Sequence, residues 1–197
     1  MNKNNIPSTS SLPLLRQVVF YFGDTSKSKS KSSSSSTTTA PGADHYRSTM
    51  DKLFACQTIW QFSARWRHYK EVYQQRPSQM SVNQNLYCFH QGVEPMWEDP
   101  VNKEGGRLTL CPGKNILDEC FDWLLCSFVG GSLISYGMVG IVLSKRARAD
   151  RIELWLDASA HSDILSNLRT KLIELLPPSV HDIIISSKYK KHYDKKN

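Results

Sequence analysis

At 197 residues, 40% of them hydrophobic, the chain can bury one core, and a single domain is the expectation. A net charge of +7 with a pI near 9.2 favours an anionic partner without naming it. Five cysteines without C-x-x-C spacing and six scattered histidines speak against a zinc site, so no metal or cofactor is expected, and they fit reduced thiols in a cytoplasmic setting.

The predicted elements, in chain order, begin after an N-terminal arm (1–11) that lacks the apolar core of a secretory signal. The stretch RQVVFYF (16–22) is rich in β-branched and aromatic residues and predicts a strand. Residues 24–45, DTSKSKSKSSSSSTTTAPGADH, are polar, basic and of low complexity; they predict a flexible loop inserted within one domain, 12–187. The spacing of Ile59, Phe62, Trp66, Tyr69 and Tyr73 predicts a helix over 58–73 with one apolar face. Trp60 lies about 160° around that wheel from Phe62, pointing outward, since each residue turns about 100°.

Strands are predicted at 86–92 and 107–112, a helix at 115–129, and strands at 137–145 and 151–158 around the basic turn Arg146–Asp150. A third helix, 161–176, carries the stripe Leu165, Leu168, Leu172 and Leu175, and Pro177–Pro178 stop it. HDIIISS (181–187) predicts a last strand, and 188–197 a mobile basic tail. Trp123 to Leu143 contains no charged residue and precedes a basic cluster, as a membrane span would. Four glycines and three serines dilute it, so the reading is a buried helix end, a Gly-Gly break and a buried strand. The pattern as a whole is α+β: an antiparallel sheet with helices on one face and the other face open to a ligand.

The loop EPMWEDPVNKEGG (94–106) holds the residues with the most pointed chemistry. The Trp97 indole offers a π face to a flat, electron-poor or cationic ring. Glu98 offers two acceptor oxygens, which suit the N1–H and N2–H₂ edge of guanine. Methylation of guanine at N7 makes the ring cationic and adds a cation–π component of about 1–2 kcal/mol when desolvated. The other reading has Trp97 plug the sheet end and Glu98 a solvated acid. Arg146, Arg148 and Arg151, with Lys145 beside them, flank a turn and suit bidentate phosphate contacts, or else form a hairpin tip. Trp155 is in phase with Arg151 and Glu153 and out of phase with Ile152 and Leu154, so Arg151 and Trp155 share the candidate ligand face.

With these residues in view, GVEPMWEDPVNKEGGRL (92–108) resembles the signature of the translation initiation factor 4E family, which binds the 7-methylguanosine cap of messenger RNA. The segment 140–155 resembles that family's strand–turn–strand. The resemblance implies a single curved antiparallel sheet, three helices on its convex face, and a cap pocket on the concave side. It implies that Trp97 stacks on the methylated base beside Met96, that Glu98 binds the base edge, and that Trp155 lies against the N7-methyl group. Arg146 and Arg151 take the phosphate-binding positions, and Arg107 supports the phosphate side. Leu108 stands where the family has Trp, as a core substitution.

The second stacking aromatic falls by count on Ala43; Tyr46, or His45, takes the role if the loop is about two residues shorter. The resemblance further implies that Trp60, with Pro13, Phe121, Asp122 and Leu125, receives a Tyr-x₄-Leu-hydrophobic helix of scaffold initiation factor 4G or of a repressor.

These readings converge on a non-enzymatic, monomeric module without a membrane segment, one that binds capped messenger RNA and a partner helix in translation initiation or its control. No phosphate loop, nucleophile elbow or paired-histidine motif is present to suggest an enzyme. The alternative is a general RNA-binding or partner-binding module with a degenerate cap pocket.

Overall fold

The computed structural model describes residues 12–26, 49–73 and 75–193. Tyr46, His45, the 1–11 arm and nearly all of the low-complexity insertion lie outside the described residues. Seven strands form one curved antiparallel sheet: β1 (Pro13–Asp24), β2 (Met50–Thr58), β3 (Gln84–His90), β4 (Gly106–Leu110), β5 (Met138–Ser144), β6 (Arg151–Leu156) and β7 (Lys188–Lys191). Their spatial order is β2-β1-β3-β5-β6-β4-β7. The helices are α1 (Ile59–Val72), α2 (Pro100–Lys103), α3 (Leu117–Val129), α4 (Ser162–Leu175) and α5 (His181–Ile185).

Period-two alternation divides the sheet into two faces. Val18, Phe20, Leu86, Cys88, Ile141, Leu143, Ile152, Leu154, Leu108 and Leu110 belong to the main core under the helices. On the opposite face Tyr87, Phe89, Val139, Val142 and Trp155 form a smaller cluster. β3 and β5 are therefore buried on both sides, which is why their sequences read as nearly continuous apolar runs.

α1 starts at Thr58, whose hydroxyl accepts from the Gln61 amide at 3.2 Å and satisfies one orphan donor of the first turn. Phe62, Trp66 and Tyr69 are buried as their spacing requires, whereas Ile59 and Tyr73, at the two ends, are exposed. Leu165, Leu168 and Leu172 of α4 pack into the core, with Leu175 at its margin. None of the described helices is long and apolar enough to cross a membrane. The stretch from Trp123 runs instead from α3 through the Gly130–Gly131 turn into β5.

Four expectations change. The described residues hold five α-helices, not three; α2 and α5, with four and five residues, are too short to leave a periodic signal. β2 was not anticipated. It is an edge strand on which only Cys56 is buried, so no apolar alternation marks it. Within the 181–187 segment His181–Ile185 is helical, because Val180 and Ile184 enter the core at i,i+4 spacing and this overrides the strand preference of three successive isoleucines. The last strand falls on Lys188–Lys191, inside the stretch expected to be a mobile tail. β4 supplies its backbone partners, and Tyr189 packs on the core.

Candidate functional site

The floor of the site follows from strand register. Directly opposed residues of antiparallel neighbours point to the same face, so the pairings can be read across the sheet as rows. One row is Asn85–Ser144–Arg151. The next is Tyr21–Tyr87–Val142–Glu153–Thr109–Lys188. The third is Val19–Phe89–Gly140–Trp155–Arg107–Lys190. Gly140 is needed within its row: a Cβ there would come within 2.4 Å of the Phe89 ring, which meets Trp155 edge to face at 5.3 Å.

The wall is the 94–106 loop, and its sequence explains its rigidity. The Asp99 carboxylate caps α2 by accepting from the Val101 amide at 2.9 Å, and it also accepts from the Glu94 amide at 2.9 Å. Buried Asn102 donates to the carbonyls of Glu94 at 2.7 Å and Met96 at 2.8 Å. Gly105 lies so close to β6 that a Cβ would fall 2.0 Å from the Leu156 carbonyl oxygen. This scaffold presents the Trp97–Glu98 dipeptide outward, with Met96 tucked beneath. Trp97 remains 46% exposed, so it does not plug the sheet end.

Together floor and wall enclose a cavity of about 400 Å³ lined by Met96, Trp97, Glu98, Arg107, Arg146, Arg151 and Trp155 with Asn85, Tyr87, Pro95, Val142, Ser144 and Glu153. One end is aromatic and acidic. The Arg107 guanidinium lies 5.3 Å from the Trp97 ring centroid and its Nε is 3.3 Å from Glu153 Oε1, while Trp155 Nε1 donates to Glu153 Oε2 at 3.4 Å.

The other end is basic. Arg146 donates to the Lys145 carbonyl at 2.8 Å and to Asn85 Oδ1 at 2.9 Å, and its amide donates to Asp150 at 3.1 Å. Buried Lys145 forms an ion pair with Asp150 at 2.7 Å, which fixes the turn between β5 and β6. Arg151 is exposed at the mouth, and Arg148 lies outside the cavity lining.

His192 supports the aromatic end. Its imidazole lies 4.2 Å from the Trp155 ring and, at an interplanar angle of 24°, 6.4 Å from Trp97. Burial, and next the charge of Arg107, push its pKa down to about 4. Sequence reading passed over His192, Asn85, Tyr87 and Ser144. β3 and β5 are buried on both faces, which hides which of their residues face a ligand, and His192 lies in a stretch with no apolar pattern.

The helix face carries a separate surface. Trp60 is 58% exposed and borders an apolar groove of about 770 Å³ with Phe22, Leu53, Phe54, Ala64 and Tyr73. Pro13 is exposed and paired with Thr58 at the start of α1. Phe121 and Leu125, expected to touch a partner, have no exposure: with Leu117, Leu124 and Phe128 they form the inward face of α3. Asp122 is half-buried, accepting from Trp66 Nε1 at 2.9 Å and pairing with Lys70 at 2.6 Å. The large apolar residue α3 does expose is Trp123, at 45%, which the sequence reading had not singled out.

The sequence model of eukaryotic initiation factor 4E matches residues 13–197. The chain belongs to the eukaryotic initiation factor 4E family. It is 30% identical over 138 residues to eukaryotic translation initiation factor isoform 4E-2 of Oryza sativa, covering 69% of this chain and 64% of that relative. To initiation factor 4E-3 of Arabidopsis thaliana it is 33% identical over 132 residues, 66% of this chain and 52% of the relative. The chain thus spans between about half and two thirds of these relatives' lengths. This factor 4E family chain also has the fold of C. elegans initiation factor 4E-3, solved with the 4E-binding protein Mextli and a cap analog; the TM-score is 0.69, with 20% identity and 92% of each chain covered.

Proposed function

We propose that the chain binds the 7-methylguanosine cap of messenger RNA in the concave pocket and a partner helix on the opposite face, acting in translation initiation or its control without catalysis. The observation that carries this reading is the convergence of Trp97, Glu98, Trp155, Arg107, Arg146 and Arg151 on one cavity. A flat cationic base fits against Trp97 with its N1/N2 edge on Glu98, and the phosphates run to the basic end, where Arg151 is exposed and Arg146 is pre-oriented by Asn85. Membership in the family supports the reading, as does the C. elegans factor solved with a cap analog and a 4E-binding protein. Tyr46, with His45 as the other candidate, is the proposed second stacking face, and Tyr46→Ala should weaken cap binding at least several-fold.

The deciding experiment titrates 7-methyl-GTP against intrinsic tryptophan fluorescence, with GTP as control. Quenching by the methylated nucleotide alone, erased by Trp97→Ala, is the expected result. Equal responses to both nucleotides, or none, would leave a general RNA-binding or partner-binding module instead.

A further inference from the structure

The two longest register rows of the pocket floor do not end at the pocket. Beyond Trp155 and Glu153 they continue through Arg107 and Thr109 of β4 to Lys190 and Lys188 of β7. Tyr189, between the lysines, packs into the core under the helices, so the alternation turns Lys188 and Lys190 to the pocket face. Both are exposed, and neither has an ion-pair partner among the described residues. Lys190 stands directly opposite Arg107, an arrangement of like charges that costs stability across antiparallel strands. Glu153 engages Arg107 and not the lysines. Beside Lys188, the half-buried Thr109 offers a hydroxyl donor on the same face.

We infer that Lys188, Lys190 and Thr109 form a track for the phosphodiester backbone of the RNA that follows the cap, an inference that rests on the cap-binding reading above. Two strand spacings carry the track about 10 Å beyond β6, away from the Arg146–Arg151 turn, so it serves phosphates other than those held there. An anionic chain laid along it relieves the Arg107–Lys190 repulsion and takes a donor from Thr109. Two ammonium groups and a hydroxyl contact phosphates without reading base edges, so the track is indifferent to sequence, and its contribution is salt-dependent because each neutralised phosphate releases counterions.

The test measures the whole chain against 7-methyl-GTP, a capped RNA of about ten nucleotides, and the same RNA uncapped, at several salt concentrations. The capped RNA should bind more tightly than 7-methyl-GTP, by roughly three- to tenfold at low salt. Lys188→Gln combined with Lys190→Gln should remove that gain and flatten the salt dependence while leaving 7-methyl-GTP affinity unchanged, which also shows that the variant is folded. The track is overturned if capped RNA binds no better than the nucleotide, if the gain survives the double substitution, or if 7-methyl-GTP affinity falls by the same factor. Should 7-methyl-GTP not bind at all, the cap reading falls and uncapped RNA decides: salt-dependent binding lost in the double variant keeps the track, and equal binding by both proteins ends it.

Discussion

The imidazole of His192 packs against the indole of Trp155 with ring centroids 4.2 Å apart, and neither of its ring nitrogens has a hydrogen-bond partner among the described residues. Burial, with Arg107 second, lowers its pKa to about 4. His90, stacked on Phe128 at 4.7 Å, is also lowered to about 4, by burial first and Arg16 second. In the unfolded chain each takes up a proton below its ordinary value of 6.5; in the folded chain neither does until about 4. Both therefore contribute stability that is fully present above pH 6.5 and is lost progressively as pH falls toward 4. Melting temperatures across that window should fall less steeply in His192→Gln and in His90→Gln than in the parent, and unchanged slopes in both would unlink these imidazoles from folding.

Asn102 holds the loop that displays Trp97 through two carbonyl contacts from a fully buried amide. Asn102→Ala leaves the carbonyls of Glu94 and Met96 without those donors, at a cost of about 1–3 kcal/mol. Both melting temperature and 7-methyl-GTP affinity should drop, although Asn102 is absent from the cavity lining. Unchanged affinity in a destabilised protein would confine Asn102 to a folding role.

Lys145 and Asp150 form a buried pair at 2.7 Å, and Asp150 also accepts from the Arg146 amide. Asp150→Ala strands a buried ammonium, so a loss of roughly 3–5 kcal/mol is expected. The double variant Lys145→Met/Asp150→Leu should recover much of that stability without restoring nucleotide affinity, because the turn carrying Arg146 stays unanchored. Denaturant melts and quenching titrations on the two proteins separate these effects.

On the helix face Trp60 is exposed beside an apolar groove. Trp60→Ala should abolish capture of a Tyr-x₄-Leu-hydrophobic peptide, measured by calorimetry, and leave 7-methyl-GTP quenching intact. Trp123→Ala tests whether the surface extends to α3. Loss of both peptide and nucleotide binding in Trp60→Ala would mean that the indole supports the fold.

The lining of the pocket was legible where a residue type is costly without a role: an indole beside a carboxylate in a polar loop, arginines around a tight turn, and a strand whose phase puts Trp155 on the face opposite Leu154. The convex core was legible for the same reason, since Phe62, Trp66, Leu168 and Leu172 recur at helical spacing. What stayed hidden was set by neighbours rather than by local pattern. β2 and β7 sit at the sheet edges: β2 carries Leu53 to Cys56 as an unbroken run with no alternation, and β7 holds only Tyr189 among lysines. Phe121 and Leu125 matched a partner surface by position, yet α3 turns them inward with Leu117, Leu124 and Phe128, a rotation fixed by the sheet beneath.

The register rows of the pocket floor draw on residues from Val19 to Lys190, with β4 inserted between two strands that follow it in the chain. During synthesis from the N-terminus, Trp97 and Glu98 therefore leave the ribosome before Arg151, Trp155 and His192 exist to face them. β4 has no strand to pair with until β6 emerges. The cavity is completed by the last strands instead of taking shape along the nascent chain, and a fragment ending before Arg151 carries the whole Trp–Glu loop motif but no pocket.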